Sequence, residues 1–200
     1  MSDTGFDLTV QIISEIFRYT SCQQTPSRLF RRCWRGVTPG FLLAPAVVAE
    51  CDIDRDGRYV MEVNFEYSKS LLRACAVSEV PLIYASSASV YGADGPFFEA
   101  AENEHPLNAY AYSKTLFDRF AFAEGISPAS QVVGLRYFNV YGPREGHKGR
   151  MASVAWHLTH QYFESGSVRL FEGSDGYRAG EQRRDFIHVD DVTAINKKFL

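Results

Sequence analysis

Tyr110-Ala111-Tyr112-Ser113-Lys114, read with Pro81-Leu82-Ile83-Tyr84-Ala85-Ser86-Ser87 upstream of it, decides how this chain folds. The upstream run is short and apolar, and it predicts a strand over 81–85 ending in two serines. The segment from 108 to about 124 has helical character, and four-residue spacing on a helix stacks Tyr110 and Lys114 on one face. An ammonium so placed lowers the pKa of a phenol, which makes a tyrosinate accessible near neutral pH as a base for hydride chemistry. Ser87 or Ser86 stands at a strand's carboxyl end, where open α/β sheets bind ligands, with a hydroxyl that can polarise a sugar hydroxyl or carbonyl. Tyr-x-x-x-Lys also arises by chance on solvated helices, so its surroundings carry the decision.

Outward from that pair, strand and helix signals alternate. Residues 65–78 have helix character, with Phe65, Leu71, Leu72, Ala74 and Cys75 apolar and Lys69 and Arg73 interleaved. Residues 93–107, carrying Gly95-Pro96 and His105-Pro106, read as a loop. Gln131 to Phe138 predicts a strand, Met151 to Phe163 a helix, and Val168 to Phe171 a short strand. Alternation of this kind argues for an α/β fold with a parallel sheet.

The 200 residues, 46 % hydrophobic and 22 % charged, suffice for one sizeable core. A net charge of −3 gives no basic field for nucleic acid, and the cluster Arg28, Arg31, Arg32 and Arg35 reads as a solvated face. No basic leader precedes an apolar run, and Phe41 to Ala49, interrupted by Pro45, falls short of the roughly 20 apolar residues of a membrane helix; a cytoplasmic protein is the expectation. Cys22, Cys33, Cys51 and Cys75 lack Cys-x-x-Cys or zinc spacing and read as reduced structural thiols, with no metal. Asp52-Ile53-Asp54-Arg55-Asp56-Gly57 begins like a calcium loop, but its twelfth position is Val63 rather than the bidentate Glu that calcium requires, which favours a loop leading into a helix.

Four further segments appear in order: Ser86-Ser87-Ala88-Ser89-Val90-Tyr91-Gly92, Pro106-Leu107-Asn108-Ala109-Tyr110, Leu135-Arg136-Tyr137-Phe138-Asn139-Val140-Tyr141-Gly142-Pro143, and Arg184-Asp185-Phe186-Ile187-His188-Val189-Asp190-Asp191-Val192. With the pentad they resemble the extended short-chain dehydrogenase/reductases that act on nucleotide sugars, the NAD-dependent epimerase/dehydratase family. Gly142-Pro143-Arg144-Glu145-Gly146-His147-Lys148-Gly149, Met151-Ala152-Ser153-Val154-Ala155 and Leu170-Phe171-Glu172-Gly173-Ser174 narrow the resemblance to its ADP-L-glycero-D-manno-heptose 6-epimerases. The match covers roughly residues 58–200. It implies a Rossmann-like doubly wound parallel sheet, incomplete because the first glycine turn and the C-terminal substrate lobe are missing. Residues 58–200 would be a partial NAD(P)-binding epimerase domain, and 1–57 an unmatched segment expected to be poorly ordered.

The resemblance implies that NADP, with NAD as the alternative, oxidises the sugar of an ADP-heptose at C6 and returns the hydride to the other face. Tyr110 and Lys148 would be the two acid/bases. Ser87 would supply the hydrogen-bonding hydroxyl, and Lys114 would hold the nicotinamide ribose while tuning Tyr110. Asn64, Val140 and Lys148 would also contact cofactor. Ser87, Asn139, Arg150, His157, Phe171, Glu172, Gly173, Ser174 and Arg184 would contact substrate. Arg184 also suits a diphosphate unaided, since a guanidinium grips paired oxygens, and a salt bridge to Asp185 or Asp190 is an equal reading of the residues. Family members self-associate, so a homo-oligomer is the expectation, with no nucleic acid or membrane partner.

This sequence departs from the family in three places. Residues 1 to about 50 contain no Gly-x-x-Gly-x-x-Gly turn for a pyrophosphate. Arg150 stands where the epimerases carry a Ser, and Arg178 to Arg183 includes extra residues ahead of Arg184. The alternatives are a catalytically inactive relative acting at most as an interaction partner, then a nucleotide-sugar 4-epimerase, which needs no base like Lys148. A 4,6-dehydratase is disfavoured because Ala88 and Ser89 stand where it needs a carboxylic acid.

Overall fold

The computed structural model describes residues 57–93, 95–123, 131–174 and 176–199, together with the backbone of 42–44. The basic cluster, Cys22, Cys33, Cys51, most of the calcium-like loop and nearly all of the segment 1–57 therefore lie outside the described residues. Residues Phe41–Leu200 form one compact unit.

Strand β1 (Leu42–Ala44) is followed by a helical stretch in three parts, α1 (Gly57–Val60), a π-helical segment (Met61–Glu66) and α2 (Tyr67–Val77). The helix thus starts earlier than the apolar period from Phe65 suggests. Leu71, Leu72 and Cys75 form its buried stripe, and burial pushes the Cys75 thiol up to about 11, the state of an inert core thiol. Strand β2 (Leu82–Ser87) comes next, and α3 (Ala109–Ala123) crosses back over it to β3 (Val132–Tyr137). These three strands make a parallel sheet in the order β1-β2-β3, with Leu82 opposite Val132 and Ser87 opposite Tyr137. The core lies between β2 and the helices: Leu82, Ile83, Tyr84, Val90, Ala111 and Phe117 are all buried.

After Phe138 the chain enters a second parallel pair, β4 (Asn139–Tyr141) with β5 (Phe186–His188). Between them lie a 3-10 turn (Gly146–Met151) and α4 (Val154–Ser165), and α5 (Val189–Lys198) follows β5. The strand expected over 168–171 does not form. That segment runs to an isolated bridge between Ser174 and Tyr177, and the Phe171 carbonyl bonds the Gly180 N–H at 3.0 Å. Its β-formers Val168, Leu170 and Phe171 are exposed, so local propensity met no neighbouring strand. No described helix is long and apolar enough to cross a membrane, and the described residues contain no group of three metal-ligating side chains.

Candidate active site

The helix that carries the Tyr-x-x-x-Lys pair begins where Asn108 caps it, its Oδ1 accepting the Ala111 N–H at 2.8 Å. From there Tyr110 and Lys114 face the end of β2. The Lys114 amine, on a residue 5 % exposed, donates to the Ala85 carbonyl at 3.0 Å and lies 5.8 Å from the centre of the Tyr110 ring. Ser87 hydrogen-bonds the Tyr110 phenol. The Ser87 Oγ also accepts from the Ser89 N–H at 3.2 Å and from the Ser89 hydroxyl at 2.9 Å, so its own proton is free for Tyr110. Ser86 faces inward instead, which settles the choice between the two serines: it is Ser87 that meets the tyrosine.

Electrostatics here differ from the expectation that Lys114 lowers the phenol. Burial pushes Tyr110 up, and the Ser87 hydrogen bond opposes that only in part. Burial also pushes Lys114 down to about 8, against the pull of the Asp118 carboxylate. Desolvation dominates both members of the pair because neither reaches water freely.

Asn64 joins this cluster from the π-helical segment, a geometry that recurs at functional sites. Its Nδ2 donates to Ser113 Oγ at 3.2 Å, and Ser113 donates to the Tyr110 carbonyl at 2.7 Å. Its Oδ1 is buried without a hydrogen-bond donor among the described residues.

Lys148 sits on the 3-10 turn after β4, where Nζ donates to Glu145 Oε2 at 3.3 Å. Glu145 is 3 % exposed and also accepts from the Gly142 N–H, the Ser153 N–H and the Ser153 hydroxyl. Burial alone would raise this carboxyl, but the hydrogen bonds from Ser153 and Gly142 and the Lys148 charge together hold it below the ordinary glutamate range. Ser153 also caps α4 by accepting the Trp156 N–H.

The expected substrate residues fall on several elements. Asn139 is tied by both its N–H and its Nδ2 to the Asp185 carbonyl, and Val140 pairs with Ile187 in the small sheet. Arg150 is exposed on the 3-10 turn, and His157 meets Trp156 edge-on within α4. Phe171, Glu172, Gly173 and Ser174 lie in the exposed loop, with the Glu172 carbonyl bonded by Gln182. Arg184 comes to this loop: its guanidinium stands 5.9 Å from the Phe171 ring and pairs with neither Asp185 nor Asp190.

A cleft of about 850 Å³ lies elsewhere, lined among others by Tyr84, Asp118, Arg136, Phe138, Phe186 and Ile195, and it includes none of Ser87, Tyr110, Lys114 or Lys148. The sequence reading missed Asp118, Glu145, Ser89 and Ser153. Asp118 carries a signal after the fact, one further four-residue step along the Tyr110 and Lys114 stripe.

Residues 45–200 match the model of the NAD dependent epimerase/dehydratase family. The chain belongs to that family. Among its relatives, the ADP-L-glycero-D-manno-heptose-6-epimerase of Alkalilimnicola ehrlichii is 60 % identical over 140 residues, covering 70 % of this chain and 44 % of the relative. The crystal structure of the Helicobacter pylori enzyme of the same name superposes with a TM-score of 0.73 at 36 % identity, over 84 % of this chain and 51 % of that one. The Thermus thermophilus UDP-glucose 4-epimerase in complex with NAD is also similar, at TM-score 0.60 and 26 % identity, over 86 % of this chain and 55 % of that one. The likeness confirms the Rossmann-like α/β fold expected from the family resemblance. The chain spans about half the length of the curated relatives it matches.

The polar groups of this cluster are of the kind that a nicotinamide cofactor requires. Lys114 presents a buried amine beside the Tyr110 and Ser87 hydroxyls, and Asn64 keeps an acceptor without a donor. No glycine cradle for the pyrophosphate lies among the described residues.

Proposed function

We propose that this chain carries the catalytic part of an epimerase that converts ADP-D-glycero-D-manno-heptose to its L-glycero epimer at C6, in the cytoplasm, supplying the precursor of the lipopolysaccharide inner core. The supporting observation is the joint presence of Ser87, Tyr110 and Lys114 in one cluster, with Lys148 on the turn that follows β4, in a chain 60 % identical over 140 residues to a relative named for this activity. A bound NADP, or NAD in its place, supplies the acceptance and return of a hydride at C6.

Within that reading, Tyr110 holds or gives the proton of the C6 oxygen on one face, and Ser87 donates a hydrogen bond that stabilises the phenolate. Lys148 performs the matching proton transfer on the other face, and Glu145 anchors its amine between turnovers. Lys114, Asn64 and Val140 contact the cofactor; Asn139, Arg150, His157, Phe171 to Ser174 and Arg184 contact the ADP-heptose. A homo-oligomer belongs to the same proposal.

Calorimetric titration of NADP into the purified 200-residue protein tests it first. Stoichiometric binding followed by C6 epimerisation is the expected result, with turnover abolished in the Tyr110→Phe, Lys148→Ala double variant and partial exchange left by either change alone. Full turnover by the double variant refutes the two-base scheme. The second reading, an inactive relative, is favoured by the absence of a glycine turn in residues 1 to about 50, and a folded sample that fails to bind either dinucleotide establishes it. A 4-epimerase would instead turn over a UDP-hexose and survive Lys148→Ala.

A further inference from the structure

Tyr110, Lys114 and Asp118 follow one another on α3 at four-residue steps, so their side chains share one face. The proposed chemistry uses the first two. Asp118 is 3 % exposed and carries three partners: the Tyr84 hydroxyl donates to Oδ1 at 2.9 Å, and Ser86 Oγ and Arg136 Nε donate to Oδ2 at 2.8 and 3.0 Å. Tyr84 and Ser86 flank Ala85, whose carbonyl receives Lys114, and the next residue, Ser87, bonds Tyr110. Four consecutive residues of β2 are therefore tied to one face of α3, and Asp118 makes two of the four ties.

We propose that Asp118 is the positioning residue of the Ser87, Tyr110 and Lys114 set: its grip on Tyr84 and Ser86 fixes the register of α3 against the end of β2, and its charge, one helical turn from Lys114, favours the ammonium there.

Charge supports the second half of this. Lys114 makes no ion pair among the described residues, and its Nζ donates to a neutral carbonyl. Burial drives it toward the free amine, and the charge that opposes this is that of Asp118. The titratable groups around the seam are Tyr110 on the same helix, Tyr84 from β2, the buried Tyr91 just after β2 with the Arg136 guanidinium 5.0 Å from its ring, Arg136 from β3 and Glu104 from the loop before α3; the π-helical segment contributes the neutral Asn64. Arg136 also pairs with Glu104, which Arg119 joins at 3.0 Å, so the guanidinium is shared and does not cancel Asp118 alone.

The catalytic meaning of this inference rests on the roles proposed above for Tyr110 and Lys114, but its test needs neither cofactor nor turnover. The 200-residue protein is labelled with 13C lysine, the Lys114 signal is assigned by its loss in Lys114→Met, and its pH titration is followed by NMR. In Asp118→Asn the midpoint falls by about 1 pH unit, a roughly tenfold weaker hold on the proton. Asp118→Glu restores most of it. Ser86→Ala removes one tie and leaves the charge, so the thermal midpoint drops while the Lys114 titration stays near that of the parent. An unchanged Lys114 midpoint in folded Asp118→Asn overturns the proposal. Should that variant fail to fold, the Tyr84→Phe, Ser86→Ala double variant removes both ties and leaves the charge: the thermal midpoint drops while the Lys114 midpoint stays near that of the parent, and a fallen Lys114 midpoint overturns the proposal. Failure to bind NADP would defeat the epimerase reading while leaving these shifts in place.

Discussion

Lys114 is packed against the Ala85 carbonyl at 5 % exposure, and desolvation there outweighs the Asp118 charge, bringing the amine from 10.5 down to about 8. The folded chain thus holds this proton less tightly than the unfolded chain does. The group's contribution to stability is fully present above pH 10.5 and is lost as pH falls through about 8. Measured against Lys114→Met by urea unfolding at stepped pH, the parent gains about 3 kcal/mol between pH 7 and 10.5; a difference flat with pH would contradict the burial described. Glu145 has the opposite dependence. Its carboxyl is held low, so its contribution is present above the ordinary glutamate range and is lost as pH falls through the lowered value. The stability advantage of the parent over Glu145→Gln is therefore expected to shrink on acidification, read as converging unfolding midpoints. The Tyr-x-x-x-Lys pair was legible because helical spacing places it, whereas its electrostatics were not, because burial of both groups is a tertiary fact.

Elements are held together here by a few close approaches. An ideal Cβ on Gly134 would stand 2.4 Å from the Tyr84 ring and hydroxyl, so the bare backbone of β3 is what lets Tyr84 lie across the sheet to Asp118. Gly134→Val displaces that ring and costs about 1–3 kcal/mol, visible as a lowered thermal midpoint. Ser153→Ala removes the side-chain cap of α4 and the hydroxyl bond to Glu145, while the backbone N–H of residue 153 still donates to that carboxylate, and costs about 2 kcal/mol; a denaturant midpoint shift at constant m-value measures it. The long elements were readable: α3 spans Ala109–Ala123 where the sequence predicts 108 to about 124, and β3 spans Val132–Tyr137 within the expected 131–138. Three-residue strands such as β4 and β5 leave no period to detect, and the Asn64 to Ser113 hydrogen bond joins residues 49 apart, which no local pattern marks.

Across the whole of Phe41–Leu200 the two sheets are unequal. β2 is buried between its neighbours, whereas β4 and β5 form a short pair with Tyr141 and Phe186 still exposed. Local opening is expected to follow that difference, with amides of β2 and β3 exchanging far more slowly than those of β4 and β5 in hydrogen-exchange measurements. Parallel topology was legible from the alternation of elements and from the family's ordered segments, while the split into two sheets at Phe138 was not, since nothing in Tyr137-Phe138-Asn139 marks a change of partner. Across that split, Tyr137 and Asn196 exchange hydrogen bonds at 2.9 and 2.7 Å although 59 residues separate them. On the ribosome, then, the end of β3 is synthesised long before the residue that satisfies its hydroxyl leaves the exit tunnel. A nascent chain that has not yet extended past Asn196 leaves the Tyr137 hydroxyl without that partner, so the end of β3 completes its hydrogen bonding only after α5 has emerged.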